Sequence, residues 1–378
     1  MNSHVQFTNE FVLELSDGST VAAAAPQGET ISLYERGCAE LPERVLHRIQ
    51  AAGLLGRPLQ QEDWDAYLEQ QIPHLGRNNA YSLSLAFHQA SQRDQRLHDN
   101  GAKSAATPRP PRLCCNILNG GSHAYTNAVL SDFPEFLLVA RSNDVAATLE
   151  KEQAIQQLVR RKLLKQPKRI INGNPVSCFA TETNAACFEF IHKVCCELGV
   201  PNDFELMVDA SAGDLWHEGK YRLNTAENRA FSPDEFRAYW IGMIEEYQIA
   251  FLEDPFHEND IENWRSLVAA RTACRILGDN FYASDSARLA AGAAKNLTHG
   301  LIIKPNQAGT VSAIRRVLDT ASRHQQLAVA SHRSISTEET WIATLACFPP
   351  IECFKVGPLA TDYSSVLRLN QVLRQCAP

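Results

Sequence analysis

The stretch LIIKPNQAGT, residues 301–310, passes through three aliphatic residues and then sets Lys304 directly against Pro305. A short run that is apolar at every position reads as a strand buried on both faces, and a lysine closing it marks a strand end that meets something polar. The same rhythm recurs on either side. Apolar runs end in polar residues at FELMVD (Asp209), IAFLED (Glu253 and Asp254), CRILGD (Asp279), GLIIK (Lys304), LAVASHR (His332 and Arg333) and CFK (Lys355). Helical patterns separate most of them, over Ser232–Glu246, Ile261–Ala270, Ser284–Ala294, Gly309–Ser322 and Thr337–Ala346. Buried strands alternating with helices predict an α/β chain of parallel β/α units, and in a (β/α)8 barrel the C-terminal strand ends share one mouth. The polar termini would then converge, with Lys304 where a substrate sits.

Upstream the pattern differs. FVLELSDG (Phe11–Gly18) alternates, turns at Asp17-Gly18 and resumes as STVAAAAP, a hairpin signal. Helical periodicity follows over Leu41–Ala52 and Asn79–Arg96, giving a small α+β unit. The stretch His98–Arg112, with Gly101, Pro108, Pro110 and Pro111, breaks the pattern. The expected division is therefore an α+β domain over residues 1–111 and a barrel over 112–378.

Bulk properties narrow the function classes. The 378 residues are 44% hydrophobic with a net charge of -7, enough for a large core and without a general attraction to nucleic acid or anionic membrane. The one basic cluster, RRKLLKQPKR (Arg160–Arg169), reads as a solvated helix end. No apolar run approaches a membrane span and MNSHVQFTNE has no signal-peptide pattern, so a cytoplasmic location is expected. The eleven cysteines are then expected to be free thiols, and neither they nor His217, His257 and His299 show zinc-site spacing.

The chemistry follows from what would meet at the mouth. Asp209, Glu253 and Asp279 are three carboxylates at three successive strand ends, and hard oxygen donors of that kind suit Mg2+. Singly, Asp209 or Asp279 reads equally as a helix cap; together with two lysines the metal reading prevails. Asp254 reads as structural. Lys304 and Lys355 are expected in a cationic pocket, where desolvation and neighbouring positive charge lower a lysine pKa towards that of a base. A lysine base beside Mg2+ suits removal of a proton next to a carboxylate.

These residues resemble the enolases (phosphopyruvate hydratases). NILNGGSHA, VDASAGDLWHEGKYRL, FLEDPF, LGDN, LIIKPNQAGT, ASHRSISTEET, FKVGP and LRLNQVLR occur in the order enolases have them. The resemblance implies an enolase-type modified (β/α)8 TIM barrel behind an N-terminal α+β capping domain. It also implies a homodimer and Mg2+-dependent handling of 2-phosphoglycerate or phosphoenolpyruvate. Carried over by position, Asp209, Glu253 and Asp279 match the ligands of the first Mg2+, and a second ion joins with substrate. Lys304 matches the base that takes the C2 proton, and Lys355 the lysine that holds the substrate carboxylate. Arg333 and Ser334 match the phosphate-binding pair, with His332 beside them, and His123 matches a histidine of a mobile loop. Thr30 stands where enolases place a loop serine, amid the departures Gln27, Glu29, Ile31 and Ser32.

One departure bears on the reaction. Enolases protonate the departing hydroxide with a glutamate in a GDEGG segment, whereas INGNPVSCFA holds no acid from Ile170 to Ala180, with Asn174 or Pro175 at the position. A second family glutamate, in a QEF segment, aligns without gaps to Asp132 in SDFPEF; a three-residue slip offers Glu135 instead. Three functions are thus in view. One is a specialised enzyme that binds a phosphorylated three-carbon acid without expelling hydroxide. The enolase-like carboxyphosphonoenolpyruvate synthase of phosphonate pathways is its precedent, with a nucleotide-activated phosphonate as second substrate. The others are a hydratase with an altered acid and a non-catalytic binding protein.

Overall fold

A computed structural model of the chain describes residues 1–28, 32, 41–98, 107–121, 126–171, 173–359 and 362–377. Eight strands close a barrel: β1 (Arg112–Asn119), β2 (Glu135–Ala140), β3 (Phe204–Asp209), β4 (Ile249–Glu253), β5 (Arg275–Gly278), β6 (Gly300–Ile303), β7 (Leu327–Ser331) and β8 (Ile351–Lys355). Neighbours in sequence are neighbours in the barrel, and β8 closes against β1. Inward-facing Cys114, Leu137, Met207, Phe251, Leu277, Ile302, Val329 and Cys353 fill the interior, while the other strand face packs under the helices. This double burial is why the strands read as unbroken apolar runs.

The parallel units expected from the Asp209 run onward hold, and one strand upstream of them is reversed. β2 runs antiparallel to both β1 and β3, while the remaining pairs are parallel. A strand that enters reversed presents its first residue, not its last, at the mouth. Glu135 opens β2 and lies in register with Asp209, the last residue of β3.

Local capping sets the helix starts. The helix expected from Ser284 begins at Ser286, because Ala283 and Ser284 sit at positive φ and Asp285 caps it by accepting from Arg288 N at 2.9 Å. Thr310 likewise caps Val311–Arg323, and the pattern read over Thr337–Ala346 contracts to Trp341–Ala346.

Before the barrel, Glu10–Glu14 and Thr20–Ala24 pair as the expected hairpin, followed by α1 (Pro42–Ala51), α2 (Gln61–Leu75) and α3 (Arg77–His98). These helices grip the barrel by buried polar contacts. Asp65 accepts from Ser84 Oγ at 2.6 Å and from Ser312 N at 2.8 Å, and Arg77 donates to Gln307 O at 2.8 Å. The turn after Lys304 is therefore clamped from outside the barrel. The described cysteines are free thiols, and no described helix is long and apolar enough to cross a membrane.

Candidate active site

Asp209 ends β3, Glu253 ends β4 and in register with it, and Asp279 follows β5 directly. All three are buried, as is Glu135 on the reversed strand beside them. The strand order dictated by the β/α rhythm thus sets four carboxyl groups side by side at one arc of the mouth. Lys355 ends β8, across the barrel from β4. Its Nζ lies 2.7 Å from Glu253 Oε2, 2.9 Å from Glu135 Oε2 and 3.5 Å from Asp209 Oδ2. Lys304, one residue past β6, pairs through Nζ with Asp279 Oδ2, and its backbone N donates to Ser284 Oγ at 2.9 Å.

The charge around Lys355 is the reverse of the cationic pocket expected from sequence. Burial alone would lower its pKa, but Glu135, Glu253 and Asp209 outweigh burial and hold it well above that of an ordinary lysine. Lys355 is therefore a charged tether among carboxylates. Glu253 is pushed well up, first by burial and then by Asp209, with Lys355 opposing.

The buried cluster is richer in carboxyls than in ammonium groups, and two of its oxygens, Glu253 Oε1 and Asp279 Oδ1, have no hydrogen-bond partner among the described residues. Buried anionic oxygens without donors are poorly solvated, and hard oxygen ligands with surplus negative charge fit a divalent cation such as Mg2+. Among the described residues no three acidic, histidine or cysteine side chains are drawn together as ligands; the two lysine amines lie among the carboxylates instead. The surrounding contacts fix each acid. Ser211 donates to Asp209 Oδ1 from N at 3.0 Å and Oγ at 3.1 Å. Asp254, at φ 43°, accepts from Asp279 N at 2.9 Å and Asn280 N at 2.7 Å, which fits the structural role read for it.

The loop after β7 carries His332, Arg333 and Ser334. Arg333 is buried and reaches Asn306 Oδ1 at 3.4 Å. His332 N donates to Lys355 O at 3.0 Å, and burial, reinforced by Arg368 and Lys355, holds the imidazole pKa well below its usual value. A cavity of about 460 Å3 opens here, lined by His332, Ser334, Glu135, Asn116 and Asn119 among others.

Residues 108–376 match the family described as "Enolase, C-terminal TIM barrel domain". The chain belongs to the enolase family. It is similar to proteins named enolase from Sulfurimonas denitrificans (27% identity, over 92% of this chain and 87% of that protein) and Legionella pneumophila (29%, over 79% and 72%). A third, also named enolase, is from Wolinella succinogenes (26%, over 99% and 93%).

Within this enolase-family barrel the two candidate acids have different surroundings. Asp132, the gap-free alternative, is bound elsewhere: its carboxylate accepts from Thr225 N at 2.7 Å, Asn184 Nδ2 at 3.1 Å, Ala226 N at 3.2 Å and Glu227 N at 3.3 Å. Those donors tie Asp132 to the loop at 225–227. Glu135 instead touches Lys355 and accepts from Asn116 Nδ2 at 3.0 Å. Asn116 escaped the sequence reading because nothing in NILNGG separates a site amide from a turn residue. Thr30 and His123 lie outside the described residues. Ser32, from the same divergent loop as Thr30, is buried and donates to Asn280 O at 2.8 Å, one residue from Asp279. The INGNPVS region forms a hairpin, Lys168–Ile171 against Asn174–Ser177, with Asn174 and Pro175 exposed.

Proposed function

We propose that this enolase-family chain is a Mg2+-dependent enzyme acting on a phosphorylated three-carbon acid of the phosphoenolpyruvate or 2-phosphoglycerate type, and that it does not expel hydroxide. Asp209, Glu253 and Asp279 would hold the metal, which supplies fixed positive charge against the negative charge that develops when a proton leaves carbon beside a carboxylate. In this reading Lys304 would exchange that proton, Lys355 would hold the substrate carboxylate, and Arg333 and Ser334 would bind the phosphate with His332 beside them.

The observation that carries the absence of hydroxide expulsion is the exposed hairpin over Lys168–Ser177, which brings no carboxyl group where the family resemblance leads one to expect an acid. A missing general acid typically lowers a rate ~100-fold to 10,000-fold. A reaction that joins the bound acid to a second substrate needs no such acid, and transfer from a nucleotide-activated phosphonate, as in carboxyphosphonoenolpyruvate synthesis, is of that kind. A second reading rests on Glu135, which lines the cavity and touches Lys355. There the chain is a hydratase with Glu135 as the acid, in keeping with the names of its relatives.

One assay separates them. Protein with Mg2+ and 2-phosphoglycerate is followed by ultraviolet absorbance for phosphoenolpyruvate. Absent turnover with calorimetric binding of either acid supports the first reading. Turnover at the rate of an ordinary hydratase refutes it and favours the second, and absence of binding refutes both.

A further inference from the structure

Arg368 lies on the helix Tyr363–Gln375, outside the barrel wall, yet it is buried. Its Nε donates to Val356 O at 3.0 Å, one Nη to Ser336 Oγ at 3.1 Å, and the other Nη to Asp362 Oδ2 at 3.1 Å and Ser365 Oγ at 3.0 Å. Donor and acceptor roles agree along each arm. Ser336 Oγ, having accepted from Arg368, gives its own proton to Arg333 O at 2.8 Å. One arm thus ends on the residue after Lys355, and another ends, through one hydroxyl, on the backbone of Arg333.

We infer that Arg368 is a positioning residue that holds Lys355 and the Arg333–Ser334 loop in one fixed relation. The inference rests on the proposed roles of those groups in binding substrate. The remaining donors anchor the brace to its own helix, where Asp362 also caps the first turn by accepting from Ser364 N at 2.9 Å. The backbone is shaped around it. Gly357 sits at φ +98°, and a Cβ there would lie 2.7 Å from Ser365 Oγ, 3.0 Å from an Nη of Arg368 and 3.0 Å from His332 Cδ2. A rigid planar fork spans these separated acceptors; a lysine ammonium is a point donor that reaches one or two of them.

The test is hydrogen exchange on the full chain without substrate, so that it does not depend on the reaction. Arg368→Lys should speed amide exchange at least tenfold both in the segment 353–357 and in the segment 332–336. Ser336→Ala, which cuts one arm only, should speed the second segment and spare the first. Leu369→Ala, a core truncation on the same helix, serves as the control for general loosening. Exchange in both segments within twofold of the parent, or equal acceleration by Leu369→Ala, overturns the inference. If Arg368→Lys does not fold, Ser336→Ala decides alone: exchange in 332–336 within twofold of the parent, or acceleration of 353–357 as well, then overturns the inference. Where the parent binds phosphoenolpyruvate, Ser336→Ala should raise its dissociation constant several-fold. Failure of the parent to bind counts against the proposed function, while the exchange result still judges the brace.

Discussion

Replacing Lys355 by methionine removes an ammonium group that touches Glu135, Asp209 and Glu253 together. Methionine retains the apolar stem, so packing loss is small and the change is largely electrostatic. Breaking a buried ion pair from one side costs ~3–5 kcal/mol, because the abandoned charges stay desolvated. At about 2.1 cal/mol/K of unfolding entropy per residue, a 378-residue chain loses roughly 1 °C per ~0.8 kcal/mol, so the thermal midpoint at pH 8 should fall by ~4–6 °C. The pH dependence has a definite sign. Glu253 has a folded pKa raised above its unfolded value, so the stability linked to its proton is complete below the unfolded carboxylate pKa and fades as pH rises through the folded one. Without Lys355 that proton matters more, and the deficit should shrink on going from pH 8 to pH 5. In the parent, Lys355 is raised above its unfolded pKa, so its stabilisation persists through neutrality and disappears only in alkali. Scanning fluorimetry of both proteins from pH 5 to 8 at one heating rate measures this. A variant as stable as the parent at pH 8, or a deficit flat across the range, would refute the charge balance described for the site.

Four further outcomes are expected. Asp132→Asn sets an amide N–H against the backbone donors of Thr225–Glu227 and should cost ~1–3 kcal/mol by denaturant titration, with ligand affinity per folded molecule unchanged. Gly300→Ala places a Cβ 2.3 Å from Leu327 O on the adjacent strand and should destabilise the barrel by at least ~1–3 kcal/mol, read as a lowered midpoint. His88, depressed to about 4 by burial with help from Arg315, contributes stability present above the unfolded pKa and lost as pH falls through the folded one. His88→Gln should therefore flatten the stability profile between about pH 6.5 and 4, an effect on the order of 2 kcal/mol. Asn174→Glu returns a carboxyl to the exposed hairpin but not to the cavity lined by Glu135 and Ser334, so phosphoenolpyruvate formation should rise less than about tenfold against the ~100-fold or more of a working general acid.

What the sequence made legible was set by periodicity. Each strand that runs with the barrel ends at its mouth, so a polar residue closing an apolar run marks Asp209, Glu253, Lys304 and Lys355 without any knowledge of contacts. The reversed β2 defeats that rule, because its mouth-facing acid comes first: Glu135 opens EFLLVA and looks like the tail of the preceding turn. The α2 helix was missed for a related reason, since Pro73 near its end and its many polar residues dilute the apolar stripe formed by Trp64, Leu68 and Leu75.

Charge environment was harder still, and Asp132 and Lys355 show why. By its place in the chain Asp132 reads as an acid of the site, while its hydrogen-bond partners at Thr225–Glu227 lie more than ninety residues away. Lys355 is expected in a cationic pocket with Lys304, yet its amine lies among the carboxylates of β2, β3 and β4, two to four strands away around the barrel. The sign of a buried pKa shift depends on which charge lies nearest, a distance of a few ångströms that no spacing along the chain records. Arg368 carries this furthest: an arginine in a helical pattern reads as a surface residue until its burial and its arms to Val356 and Ser336 are known.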